Sequence, residues 1–74
     1  MSDREINGIM TPEKLKEWEP KIACLRRMGV HNLFAAIAGV DREVFEAAGW
    51  AVAGVKSGPA RSYIEMKLQL NRGG

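Results

Sequence analysis

Lys56 and Arg61 bracket the segment Ser57-Gly58-Pro59-Ala60. Two cations around a turn, together with a hydroxyl and the backbone N–H groups near Gly58, are groups that hold a phosphate. Further cations stand at Lys21, Arg26 and Arg27, at Arg42 and at Lys67. Covalent chemistry has fewer candidates. Cys24 is the single thiol and His31 the single imidazole. Cys24 lies beside Leu25 in an amphipathic stretch and reads as a core or boundary thiol. His31 reads as a surface group near a helix start. One cysteine permits neither an internal disulfide nor a Cys/His metal cage. The acids Glu13, Glu17, Asp41 and Glu43 fall in charged stretches and read as solvated faces rather than as a paired acid and base. With no nucleophile–base pair, metal-ligand set or phosphate loop, the chain reads as non-enzymatic, and no cofactor or metal is expected.

The elements that must position these groups follow from periodicity and punctuation. Residues 1–10 have no clear period and read as a loose arm, or as a short edge strand through Ile6 and Ile9. Thr11-Pro12-Glu13 is a helix start: a capping hydroxyl, a proline whose missing N–H costs nothing in the first turn, and an acid at the positive end of the dipole. Leu15, Trp18, Ile22 and Leu25 recur on one helical face. Pro20 should kink that helix or split it into 12–19 and 20–28, and Gly29 reads as its C-cap. A second helix is expected from His31 or Asn32 to about Ala38, with Leu33, Phe34 and Ile37 inward. A third, capped by Asp41, should run through Val44, Phe45 and Ala48 to Gly49. The remainder is WAVAGV, a Ser-Gly-Pro turn, and a segment in which Ile64, Met66, Leu68 and Leu70 alternate with polar residues. It reads as a hairpin pairing 62–70 with roughly 50–55, against a helix from Pro59 to Leu70 as the alternative. Trp18 and Trp50 read as core anchors.

The stretch HNLFAAIAGVDREVFEAAGW resembles a helix-turn-helix. Ala35 is the small residue inside the first helix, Gly39 the turn glycine, Val40 the apolar plug, and Phe45 and Ala48 the packing positions. With the hairpin behind it, residues 12–70 resemble a compact winged helix-turn-helix. The expected fold is therefore mostly α with a C-terminal β-hairpin: an arm at 1–10, one small domain at 11–70, and a frayed tail at 71–74. In that family the second helix of the motif enters the major groove and the wing touches phosphate. The resemblance would expose Asp41, Arg42, Glu43 and Glu46 on the recognition helix. Three of these are acids, and only Arg42 could make a bidentate contact with guanine. The segment Gly54–Arg61 followed by Ile64 also resembles a helix-hairpin-helix, which would make the domain an all-α bundle holding phosphate at a glycine turn.

The 74 residues suffice for one small, marginally stable domain. Net charge is +2, in alternating blocks of −2 over 1–20, +3 over 21–39, −2 over 40–50 and +3 over 51–74. The stretch MSDREINGIM lacks the apolar centre of a signal peptide, so a reducing, cytoplasmic setting is expected. The end Arg72-Gly73-Gly74 is similar to that of ubiquitin-like modifiers. Their β-grasp fold opens on a hairpin that residues 1–30 do not suggest.

Two functions fit these readings. One is a small nucleic-acid-binding regulator of winged helix-turn-helix type. It would hold DNA phosphates through Lys56, Ser57, Arg61 and Lys67 of the wing and through Lys21, Arg26 and Arg27, with Arg42 toward the bases, and act as a homodimer. The other is a stand-alone protein-binding inhibitor or modulator, of the kind phages direct at host transcription or defence complexes. It would dock through Asp41, Glu43 and Glu46, with Trp50 as an aromatic anchor.

Overall fold

Residues 32–38 alternate Leu33, Ala35 and Ile37 with Phe34, Ala36 and Ala38, and this period of two governs their structure. In the computed structural model, which describes residues 3–57 and 62–71, they form a strand. The chain runs β1 (Asp3–Met10), α1 (Pro12–Arg27), β2 (Asn32–Ala38), a 3-10 turn (Gly39–Asp41) leading into α2 (Arg42–Ala47), β3 (Ala51–Ser57) and β4 (Ser62–Gln69). The strands form one mixed sheet in the order β1-β2-β4-β3. β1 and β2 are parallel, joined by α1. β4 is antiparallel to both β2 and β3.

This overturns the mostly-α expectation. The chain is α+β, with two helices and a four-stranded sheet among the described residues. The helix-turn-helix dissolves because its first helix is β2. Ala35 is not a crossing point for a helix but a fully buried residue in the middle of a strand. Four alanines and leucines in seven residues favour a helix locally. Partners on both edges of β2 outweigh that preference. The all-α helix-hairpin-helix alternative falls with β4, since Ser62–Gln69 is a strand. Asp3–Met10 is an edge strand rather than a loose arm. The Gly58–Arg61 turn, which includes the expected phosphate ligand Arg61, and the Arg72-Gly73-Gly74 end lie outside the described residues, as do Met1 and Ser2.

Local signals for the helices act as the residue types dictate. Thr11 Oγ1 accepts a hydrogen bond from Lys14 N at 3.2 Å. α1 then runs through the exposed Pro20 as one helix, not two. Both helices end in the same motif. Gly29 (φ 86°) and Gly49 (φ 99°) take the left-handed conformation. Val30 N then donates to Leu25 O at 3.2 Å, and Trp50 N to Phe45 O at 3.0 Å. In α2 the same turn brings the Trp50 and Phe45 rings edge to face, centroids 5.7 Å apart. Asp41 does not cap α2 with its side chain; it sits within the 3-10 turn.

The core lies on one face of the sheet. Ile6 and Met10 of β1, Leu33, Ala35 and Ile37 of β2, and Met66 of β4 meet Ile22 of α1 and Phe45 of α2 there. Ile64 and Leu68 complete the alternation of β4 on this face. The residues that follow β4 are clasped to the α1–β2 corner. Leu70 N donates to His31 O at 2.7 Å. The Asn71 amide donates to Arg26 O at 2.9 Å and Val30 O at 2.8 Å. No helix among the described residues is long and apolar enough to cross a membrane.

Two stability changes are expected. Pro20→Ala restores a helical N–H at an exposed site and should raise stability by up to ~3 kcal/mol. Asn71→Ala removes the side-chain donor to Val30 O and one of the two donors to Arg26 O, and should cost about 1–2 kcal/mol. Urea unfolding checks both, as midpoint shifts of opposite sign at constant slope.

Candidate interaction surfaces

α2 is only six residues long, and its place over the sheet decides what stays uncovered. A Cβ on Gly39, just before α2, would lie 3.8 Å from Ile64 Cδ1; one on Gly49, just after it, would lie 3.8 Å from Leu68 Cδ1. The helix therefore lies along β4, and β3 extends beyond it. Val52 and Val55 of β3 are register partners of Met66 and Ile64, so they share the core face. Yet Val55 is 74% exposed and Val52 42%. Val44 of α2 and Val40 of the 3-10 turn are exposed too, Val40 at 89%. Val52 and Val55 thus leave part of the core face of β3 uncovered at this edge of the sheet. β3 is that edge strand, and Lys56 is its only charged residue. Ala53 forms a one-residue bulge in it.

Asp41 belongs to the 3-10 turn, and Glu43 and Glu46 are exposed on α2. Arg42 Nε lies 3.4 Å from Glu46 Oε1, an exposed i,i+4 pair that uses one acid and the one cation of α2. Asp41 and Glu43 leave the start of α2 acidic. Trp50 is not part of this surface. It is 4% exposed and packed on Phe45, so it is a core residue and unavailable as the expected partner anchor. The exposed valines supply the apolar surface instead.

The opposite face of the sheet contributes nothing to the core cluster, and neither described helix packs on it. Register places Glu5, Phe34, Lys67 and Ala51 in one row across it. Ile9, Ala36, Glu65 and Gly54 form the next row, and Ala38, Tyr63 and Lys56 the one after. Phe34 and Tyr63 are half-buried, as rings on an open sheet are. β1 departs from regular pairing here: Ile6, Asn7 and Gly8 face the single residue Ala35. Beside this bulge is a cleft of ≈ 280 Å³ walled by Glu5, Asn7, Gly8, Ala36, Tyr63 and Glu65.

The described cations among those read from the sequence as phosphate contacts of the wing and the first helix lie on several elements. Lys21 lies over the Trp18 ring, its Nζ 4.9 Å from the centroid. Arg26 and Arg27 occupy the last turn of α1, where they favour the negative end of the helix dipole. Arg26 also rims a groove of ≈ 270 Å³ between α1 and Trp50. Arg42 is paired on α2. Lys67 is exposed on the other side of the sheet, beside Phe34. Lys56 and Ser57 end β3 as register partners of Tyr63 and Ser62. Cys24 is an exposed free thiol on α1, and His31 precedes β2, where its carbonyl receives the chain end. No group of three or more His, Cys, Asp or Glu that could hold a metal occurs among the described residues.

Neither a family model, nor a curated protein, nor a solved structure matches the chain. Sequence reasoning missed Phe34, Tyr63 and the valines of β3 as surface groups. The available signal was the alternation over 32–38, which puts Phe34 opposite Leu33 and Ile37.

Trp50→Ala should act on stability, costing about 3–5 kcal/mol as a buried aromatic truncation does. Val55→Ala, at the exposed edge, should change stability by less than ~0.5 kcal/mol. Parallel denaturant titrations compare the two.

Proposed function

We propose that this chain is a non-enzymatic protein-binding module. It takes an extended, basic segment of a partner as a fifth strand on the free edge of β3. The observation that carries this reading is the uncovered core face of β3, where Val52 and Val55 are exposed on an edge strand. Free edges carry unsatisfied N–H and C=O groups and pair readily unless charge, proline or a covering element prevents it. In Ala51–Ser57 there is one lysine and one bulge, and no proline.

Strand addition supplies affinity through main-chain hydrogen bonds, and the side-chain environment supplies selectivity. Here alternate partner side chains would meet the valines, and the flanking cations of the segment would meet Asp41 and Glu43. The same acids favour a heterologous basic segment over a second copy of this chain. Edge-to-edge pairing of two copies would bring two acidic starts of α2 to one side of a joint sheet. A reducing, cytoplasmic setting suits the exposed free Cys24.

The test is a pair of short peptides, one alternating Val with Lys and one alternating Val with Glu, titrated into isotopically labelled protein. Amide shifts over Ala51–Val55 are expected with the lysine peptide, weakening with salt, and abolished by Val55→Asp. Equal response to both peptides, or response confined to other strands, would sink the reading. Concentration-dependent mass of the free protein in sedimentation would assign the edge to a second copy instead.

A further inference from the structure

The cleft at the β1 bulge opens on the uncovered face of the sheet, away from the edge of β3. Its ≈ 280 Å³ falls just below the roughly 300–1,000 Å³ of pockets that hold whole small molecules, a size that suits one inserted side chain. Its two ends differ. Glu5 belongs to the row of Phe34 and Tyr63 to the row of Ala38, with Ala36 and Glu65 in the row between. One end thus offers a ring and the other a carboxylate with the Asn7 amide. A guest that meets both ends must be long, with an apolar stem and a polar head.

The charges of the walls make that head a cation. Among the described residues, Glu5 and Glu65 wall the cleft and no cation does. Glu65 is engaged in a contact within the chain, and Glu5, exposed on β1, is the acid that meets the guest. Two lysines stand nearby without walling the cleft. Lys67 lies across Phe34 from Glu5, and Lys14 Nζ is 3.5 Å from Ile9 O. Ile6, Asn7 and Gly8 face the single residue Ala35, an irregularity that takes peptide groups out of the ladder. Carboxylate, amide oxygen and freed carbonyls are all acceptors. A guanidinium answers them with five N–H donors in a planar fork, whereas a lysine ammonium is compact and strongly hydrated. A quaternary ammonium has no donor and favours a cage of rings; among the described residues one ring, Tyr63, walls this cleft.

We infer that the cleft takes an arginine side chain presented by a partner protein. The stem lies along Tyr63 and Ala36, and the guanidinium pairs with Glu5 and the Asn7 amide oxygen. Around the cleft, Ala38 and the Phe34 ring form an open surface that receives the residues flanking the arginine. The site is on the opposite side of the sheet from the uncovered valines, and it does not depend on strand addition at β3.

The test is a titration of the isotopically labelled full chain with acetyl-Gly-Leu-Arg-Leu-Gly-amide and with its lysine and citrulline counterparts. Citrulline keeps the shape of arginine and removes its charge. Amide shifts are expected at Asn7, Gly8, Ile9 and Ala36, with affinity falling from arginine to lysine to citrulline. Arginine should exceed citrulline by about 5-fold or more. Glu5→Gln, at an exposed site, should remove most of that preference and leave citrulline binding unchanged. Tyr63→Thr keeps a β-branched residue on the strand and should weaken all three peptides. N-acetylarginine amide, which has no flanking residues, should bind more weakly than the arginine peptide. Absence of binding, equal binding of the arginine and citrulline peptides, shifts confined to β3, or an unaltered preference in Glu5→Gln would overturn the proposal. N-acetylarginine amide binding as tightly as the peptide would overturn the protein partner and assign the cleft to a free guanidinium compound.

Discussion

Hydrogen bonds along both edges of β2 hold this molecule together. β2 pairs with β1 in parallel on one side and with β4 in antiparallel on the other. The parallel pair needs a crossover, which fixes α1 on one face of the sheet. The antiparallel pair brings the end of the chain back into the middle. Leu33, Ala35 and Ile37 thereby become the floor of the core, each at most 1% exposed. Asn71 and Leu70 then tie the end of β4 to the corner that leaves α1. A chain of this size buries little surface, and a central strand bonded on both sides makes the most of what is available.

Both candidate surfaces follow from that arrangement. Among the described residues two helices serve four strands, and both pack on one face. The six-residue α2 cannot reach past β4, and the valines of β3 stay in solvent on the covered side. On the other side the alternation of β2 and β4 must present its second set of residues. That set contains Phe34 and Tyr63 beside the charged Glu65 and Lys67. Exposed apolar margins and open aromatic faces are where monomeric proteins meet partners. The two surfaces lie on opposite sides of the sheet and can be tested independently.

Residue type and spacing determined several features that close within a few residues. Thr11-Pro12 starts α1, Gly29 and Gly49 end the two helices, and the alternation of Ile64, Met66, Leu68 and Leu70 makes β4 a strand with one buried face. These are local: the donor and acceptor, or the backbone conformation, belong to neighbouring residues. Tertiary structure alone decided the state of residues 32–38. Leu33, Phe34 and Ile37 satisfy a helical face, and Leu33, Ala35 and Ile37 satisfy a strand. Alanine-rich composition favours the first. The second wins because residues 3–10 and 63–69, distant in sequence, supply hydrogen-bond partners on both edges. The same distant pairing turned the first helix of the winged-helix motif into a strand of the sheet. Sequence order fixes which groups the chain possesses; the sheet register fixes which of them share a face.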